Sequence, residues 1–360
     1  MRVSNLSLVN FRNYSKLEAE FTSGINLLYG RNGSGKTNLV EAISFCSLGK
    51  SFRTSEDFSL IKDKEDFARI RIDFINQKKH QIETLITKDG KKIIHNDIRL
   101  EKLSLLAGIL NTISFVPEDV SLFKSSPNNR RRFLDIAGLN LYRGYIKDLS
   151  EYRNYLKQRN ALLKSESIDE KLIELFNEKM IDNQYSIINY RKQIFERLEI
   201  KLNQVFKRID EGDSKLKIKY VCDLKKDATY DEFKKETLRQ FHDDFENDLK
   251  RKSTTSGIHH DDFRVYLDDK DVGQFASQGQ NRIISLSLKL AYGELVKETT
   301  KTSPILILDD VLSELDEVYQ SRLIEFLKEY EQVFITSAED DDINGISRYQ
   351  VINGNVISRN

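Results

Sequence analysis

The sequence predicts an α/β fold, a mixed sheet with an antiparallel meander, interrupted by an inserted and mainly helical arm. Three observations predict it. Short apolar runs at 25–29 and 305–308 end in a glycine and in a pair of aspartates, as buried parallel strands do where they run into a loop. Residues 128–209 hold no proline and little glycine, and their apolar side chains recur at helical spacing. Alternating strand and helix patterns then resume, so the two flanking pieces form one sheet domain.

Taken in order, 1–11 alternates loosely as a strand, 25–29 is a buried strand, and 36–48 is a helix with Leu39, Val40, Ile43 and Cys46 on one face. Runs at 68–75, 81–87 and 92–95 form the meander, with "KDGK" as a hairpin turn. A further strand over 112–116 stops at Pro117. In the arm, Leu141, Tyr145, Leu149, Tyr152, Leu156 and Leu163 make one stripe, and Ile187, Tyr190, Ile194, Leu198, Leu202 and Val205 another. The break "KSESIDE" lets two long helices fold back on each other, and a strand over 215–221 with a helix over 230–251 closes the arm. The last part offers a strand at 263–267, a loop "FASQGQNR", a helix to 297, the strand 305–308, a helix over 319–330 and a strand over 332–336. The domains are therefore expected at 1–124, 125–252 and 253–360, the first and third forming one head.

The chain has 360 residues, with 57 basic and 57 acidic side chains. Zero net charge argues against a polybasic nucleic-acid binder, but a local basic face remains open, because steering follows the distribution of charge. No apolar run is long enough to span a bilayer and the N-terminus lacks a signal peptide's apolar core, so a cytoplasmic location is expected. Cys46 and Cys222 are far apart and read as free thiols; the histidines, apart from His259 and His260, are scattered and suggest no zinc site.

Chemistry enters at Gly30-Arg31-Asn32-Gly33-Ser34-Gly35-Lys36-Thr37, a full G-x-x-x-x-G-K-[ST] phosphate loop between a strand and a helix. Its glycines let backbone N–H groups turn inward around phosphates at a helix N-terminus. Lys36 supplies a charge to the β/γ oxygens and Thr37 a hydroxyl for Mg²⁺. Asp309, at the edge of the strand 305–308, can hold the magnesium, and Asp310 can polarise an attacking water. No N-K-x-D stretch that would read guanine occurs, and nothing offers the acceptor lid of a small-molecule kinase. ATP with Mg²⁺ is the expected cofactor.

Ser277, Gly279 and Gln280 pose a different question. They open a helix, so they either cap it in the ordinary way or form a second anion site. A second site is useful if it approaches the γ-phosphate from the side opposite the phosphate loop, and another subunit is the simplest source.

The order of these parts, ending in "LDDVLSELD", resembles ATPase heads of the ABC and SMC type. Within that class the chain resembles the bacterial RecF family along almost its whole length, through "LSLVNFRNY", "LYGRNGSGKTNLVEAI", "GKSFRT", "SFVPEDVSLFKSSPNNRRRFLD", "HHDDF" and "FASQGQNR". The resemblance implies an ABC/SMC-type P-loop ATPase head, with Ser277, Gly279 and Gln280 contacting ATP across an ATP-dependent homodimer. Asp316 in "SELD" would belong to the loop that meets the other head. It also implies double-stranded DNA and single-strand/double-strand junctions as ligands, RecR and RecO as partners, and a weak DNA-dependent ATPase in recombinational repair and replication restart. Many related ATPases carry Glu where this chain has Asp310, one methylene shorter, which fits slow turnover.

Three places depart from the family pattern. Pro117-Glu118-Asp119 stands where a lid glutamine is usual, Thr336-Ser337 where a switch residue, often His, is usual, and His259-His260 replaces His-Arg in a G-P-H-R-D-D stretch. For DNA the chain offers Lys50, Arg53 and Arg130-Arg131-Arg132, with lysine pairs at 78–79 and 91–92. Each alone reads as a solvated charge run, and it is the resemblance, not the charge, that points to duplex DNA; Arg130–Arg132 could equally dock the arm on the head through Asp or Glu. The alternative function is an SMC-like or transporter-type head acting on another partner.

Overall fold

A computed structural model describes residues 1–222, 228–340 and 343–359. The chain divides into two compact units.

The first comprises Met1–Val120, Gln204–Gly212 and Gln278–Asn360. It holds two six-stranded sheets. One is the expected meander, in the order Tyr14–Glu20, Arg2–Phe11, Phe67–Asn76, Lys78–Thr87, Gly90–His95 and Ile98–Arg99, antiparallel throughout. The other runs Asn355–Ser358, Ser347–Ile352, Gly24–Tyr29, Gln332–Ser337, Ile305–Asp309 and Thr112–Phe115. Its strands are parallel except for the terminal hairpin.

Helix Lys36–Leu48 shares one core with both sheets. Leu39, Val40, Ile43 and Phe45 are buried in the same cluster as Leu6, Leu8, Ile70 and Ile72 of one sheet and Ile305, Ile307 and Phe334 of the other. All five residues of Ile305–Asp309 are buried. Truncating Ile305 or Ile307 to Ala should cost about 2–5 kcal/mol. This packing fixes the strand end that carries Asp309 against the helix start that carries Lys36.

The second unit comprises Ser121–Asn203 and Asp213–Ser277. Helices Pro127–Leu141 and Arg143–Leu162 precede the 41-residue helix Glu170–Asp210, whose last turns fall in the first unit. Tyr145, Leu149, Tyr152 and Leu163 of the first stripe are buried, as are Ile187, Ile194, Leu198, Leu202 and Val205 of the second. The helix expected over 230–251 is two, Tyr230–Asp243 and Phe245–Arg251, the former opened by a capping box between Thr229 and Glu232.

The strand expected at 263–267 is present as Asp262–Leu267, but it does not join the head. It pairs with Leu216–Val221, Phe263 opposite Tyr220, in a three-stranded sheet. The arm unit therefore ends at Ser277 and not at 252. Backbone pairing decides the boundary, and period-2 patterning alone carries no information about the partner strand.

Among the described residues, no helix is long and apolar enough to cross a membrane. Cys46 is buried and Cys222 half-buried, both as free thiols.

Candidate nucleotide-binding site

The residues 30–37 form a loop between strand Gly24–Tyr29 and helix Lys36–Leu48, as their spacing predicts. Gly30 and Gly35 have φ of 150° and 113°. A Cβ at Gly30 would lie 2.5 Å from the Val351 carbonyl oxygen, and one at Gly35 would lie 2.7 Å from the Tyr14 hydroxyl. Only glycine fits either position. Arg31, Asn32 and Gly33 are exposed and Ser34 half-buried, so the loop presents its backbone to solvent.

Asn13 and Tyr14, from the "NFRNY" stretch, brace the loop from beneath. Tyr14 donates to the Gly35 carbonyl at 3.0 Å, and Asn13 donates to the Ser34 carbonyl at 3.3 Å and accepts from Asn38 at 2.8 Å. Arg12 grips the buried carboxylate of Glu41 through two hydrogen bonds of 2.9 and 2.8 Å. Motif matching marks this stretch without assigning it a role. Its role is to hold the loop and the first turns of the helix in shape.

Lys36 is buried, and its Nζ donates to the carbonyls of Gly30 at 2.5 Å and Arg31 at 3.1 Å. Burial pulls its pKa below the usual lysine value, while the charges of Asp310 and Asp309 act in the opposite direction. The Thr37 hydroxyl donates to Asp309 Oδ1 at 2.9 Å, and the Thr336 hydroxyl donates to the same oxygen at 2.7 Å. Asp309 is buried, which raises its pKa; the two hydroxyl hydrogen bonds pull it back. A hydroxyl and a carboxylate in contact are hard oxygen donors, and they fit a magnesium ion that takes its other ligands from water and phosphate. Among the described residues no group of three or more His, Cys, Asp or Glu could hold a metal by itself.

Asp310 is exposed and left-handed, with φ 54°. Its N–H donates to Thr336 Oγ1 at 2.9 Å, and its carboxylate accepts from Ser313 at 3.1 Å. Thr336, at the position where the sequence left the role of a switch residue open, is thus bonded to both aspartates.

Ser277, Gly279 and Gln280 are exposed, and helix Gln278–Thr300 begins directly after Ser277. A Cβ at Gly279 would meet nothing within 4 Å. Within that helix Arg282 ion-pairs with Glu314 of "SELD". Asp316 caps helix Glu317–Leu327 by accepting from the Tyr319 N–H at 3.0 Å. At the lid position, Asp119 accepts from the Val116 N–H at 2.9 Å and ion-pairs with Lys289 at 3.0 Å, so it is committed to the fold.

The expected DNA residues separate. Lys50 is exposed. Arg53 is exposed but lies beside the nucleotide loop: it donates to Asn38 at 2.8 Å, and its charge lowers the pKa of Asp309. Arg130 is a correction. It is buried and bonded to both oxygens of Asp262 and to the carbonyls of Leu122 and Ser125, which leaves it no donor face for a phosphate. It does not dock the arm on the head either, because Asp262 lies in the arm unit itself. Arg131 is half-buried on the carbonyls of His260 and Asp261, and Arg132 is exposed. Of the lysine pairs, Lys91 is engaged by Asp57.

Comparisons with known proteins point to one family. The family model described as the RecF/RecN/SMC N terminal domain matches residues 2–354. The chain is 37% identical to the DNA replication and repair protein RecF of Clostridioides difficile (strain 630), over 99% of this chain and 98% of that one. It is 38% identical to the protein of the same name from Oenococcus oeni, over 99% of this chain and 100% of that one. Among solved structures, the recombination mediator protein RecF with ATP superposes with a TM-score of 0.92 at 32% identity, covering 99% of this chain and 97% of that one. The Smc head domain of Pyrococcus furiosus gives a TM-score of 0.58 at 18% identity, covering 99% of this chain and 96% of that one, a likeness of fold alone. With an ABC/SMC-type head and relatives matched from end to end, the chain belongs to the RecF family.

Proposed function

We propose that the chain is an ATP-dependent DNA-binding protein of replication and recombinational repair, acting in the cytoplasm. The observation that carries the reading is the junction of Lys36, Thr37, Asp309 and Asp310 at one end of the parallel sheet, beside a glycine loop of the phosphate-binding pattern. Relatives named for DNA replication and repair, and a RecF solved with ATP, support the assignment of nucleotide and pathway.

In this reading the backbone of Gly30–Gly35 and Lys36 binds the β- and γ-phosphates, and Thr37 and Asp309 hold Mg²⁺, which would neutralise charge on the phosphate oxygens. Asp310 orients and polarises the attacking water. Ser277, Gly279 and Gln280, exposed at a helix N-terminus, meet the γ-phosphate held by a second copy, with Asp316 alongside. ATP then closes a homodimer on duplex DNA near a single-strand gap, and slow hydrolysis opens it. RecR and RecO are the partners that would exploit the closed state to load recombinase. Lys50, Arg53 and Arg132, together with Lys78, Lys79 and Lys92, are exposed cations that could meet DNA phosphates.

The test is nucleotide-dependent sizing by light scattering, with and without a gapped duplex. A dimer that forms with ATP, not with ADP, and is favoured by the duplex supports the reading. A monomer under all conditions, or a dimer indifferent to nucleotide, overturns it.

A further inference from the structure

Thr336 lies directly opposite Asp309 in the parallel pair formed by Ile305–Asp309 and Gln332–Ser337. That is the last register pair of the first strand, so the N–H of the next residue, Asp310, leaves the ladder. The backbone also turns there into the left-handed region, which is uncommon outside glycine but which aspartate tolerates. Its surroundings supply one buried hydroxyl. Thr336 is 1% exposed, and its Oγ1 accepts from the Asp310 N–H at 2.9 Å while donating to Asp309 Oδ1 at 2.7 Å.

A hydroxyl can do both at once because it has one proton and two lone pairs. The proton is directed to the carboxylate and a lone pair to the amide. Both aspartates are thereby referred to one atom of a neighbouring strand whose six residues are all buried. Ser313 fixes the other end of Asp310 by donating to its carboxylate at 3.1 Å. The threonine methyl restricts χ1, so the hydroxyl has little freedom to swing away.

We propose that Thr336 is a positioning residue for ATP hydrolysis, setting the backbone of Asp310 and the carboxylate of Asp309 relative to each other. The inference rests on the assignment of Asp310 to water activation. Thr336 touches neither nucleotide nor water in this account. It acts on the rate by holding the turn in which the acidic pair is presented.

The experiment compares wild type, Thr336→Val, Thr336→Ser and Asp310→Asn, measuring ATP affinity by calorimetry and phosphate release at saturating ATP. Valine keeps the shape and loses both hydrogen bonds; serine keeps both. Thr336→Val should bind ATP within about threefold of wild type while kcat falls at least about tenfold, the equivalent of the net worth of one to two hydrogen bonds. Thr336→Ser should recover most of the rate. If Thr336→Val melts early, Thr336→Ala also removes the hydroxyl and gives the same reading, retained ATP affinity showing that the head is folded. Wild-type turnover in the valine variant, an equal loss of affinity and rate, or a serine variant as slow as valine would each overturn the proposal. Asp310→Asn separates the two levels. If it is slow while Thr336→Val is normal, only the role of Thr336 fails; if it turns over normally, the assignment of Asp310 fails and the inference with it.

Discussion

The guanidinium of Arg130 grips both carboxylate oxygens of Asp262 at 2.8 Å, Nε on one and Nη2 on the other. This bidentate pair ties helix Pro127–Leu141 to the strand Asp262–Leu267 within the arm unit. It converts the first residue of an apparent basic patch into a structural fastening.

Arg130→Ala should therefore act on stability. Removing one partner of a largely buried pair leaves the Asp262 carboxylate without its counter-charge, at a cost of about 3 kcal/mol. Chemical denaturation of the variant should show the loss, and the salt dependence of DNA binding should keep its slope. Arg132, exposed, should instead show itself in DNA binding, Arg132→Ala reducing the slope by about 1. A stable Arg130→Ala protein with a shallower slope would return Arg130 to the DNA surface.

Lys36→Met should abolish tight ATP binding. Lys36 is the buried cation at the loop, at the one position where the phosphate-loop pattern itself specifies a positive side chain for the β- and γ-oxygens. A loss of two or more of the roughly 1.5–3 kcal/mol interactions made by such a charge would weaken binding by about a hundredfold or more. Calorimetric titration with unchanged affinity would remove the nucleotide from Gly30–Thr37.

Much of this was legible in the sequence, and the reasons differ by residue. The phosphate loop and Asp309-Asp310 could be read because their chemistry is local: spacing along the chain fixes the site. Arg130 could not, because its partner lies 132 residues away and a charge run looks the same whether solvated or paired. The role of Thr336 is not legible along the chain because it comes from strand register, which only pairing reveals. The strand Tyr14–Glu20 carries little pattern of its own, whereas the hairpin Ser347–Ile352 to Asn355–Ser358 carries a good signal. Asn353-Gly354 is a two-residue turn with φ of 48° and 76°, the chemistry expected of Asn-Gly between strands.

His259 makes the arm acid-sensitive. Its Nδ1 lies 2.6 Å from the Tyr152 hydroxyl and its Nε2 3.2 Å from the Thr254 carbonyl. Burial first, then the neighbouring His260, pulls its pKa from 6.5 down to about 4; Arg131 acts the same way, and the Thr254 carbonyl and Asp248 oppose them. The sign follows from the folded value lying below the unfolded one. Above pH 6.5 both states are neutral and His259 contributes no pH dependence; between 6.5 and about 4 only the unfolded chain takes the proton. Stability should fall through that window by up to about 1.4 kcal/mol per pH unit from this residue. Urea unfolding of wild type and His259→Gln at pH 7.5, 6 and 5 checks it, the variant losing less between the first and last. Parallel pH dependences would show that His259 protonates freely in the folded arm.

In the proposed function, the exposed loop at the start of helix Gln278–Thr300 is the part through which nucleotide joins two copies. Ser277→Arg should leave ATP binding to the monomer intact, since Lys36, Thr37 and Asp309 are untouched. It should block ATP-induced dimerisation, because a long cation would fill the space in which a γ-phosphate must approach Ser277, Gly279 and Gln280. Each lost hydrogen bond to a charged group is worth about 1.5–3 kcal/mol, enough to turn a weak dimer into monomer at micromolar concentration. Mixing Ser277→Arg with Lys36→Met sharpens the result. In the mixed dimer one composite site carries both lesions and the other carries neither, so phosphate release should return although each protein alone is inactive. Dimerisation of Ser277→Arg with ATP at the wild-type level would reduce the loop to an ordinary helix cap and leave the second γ-phosphate contact to be sought elsewhere on the head.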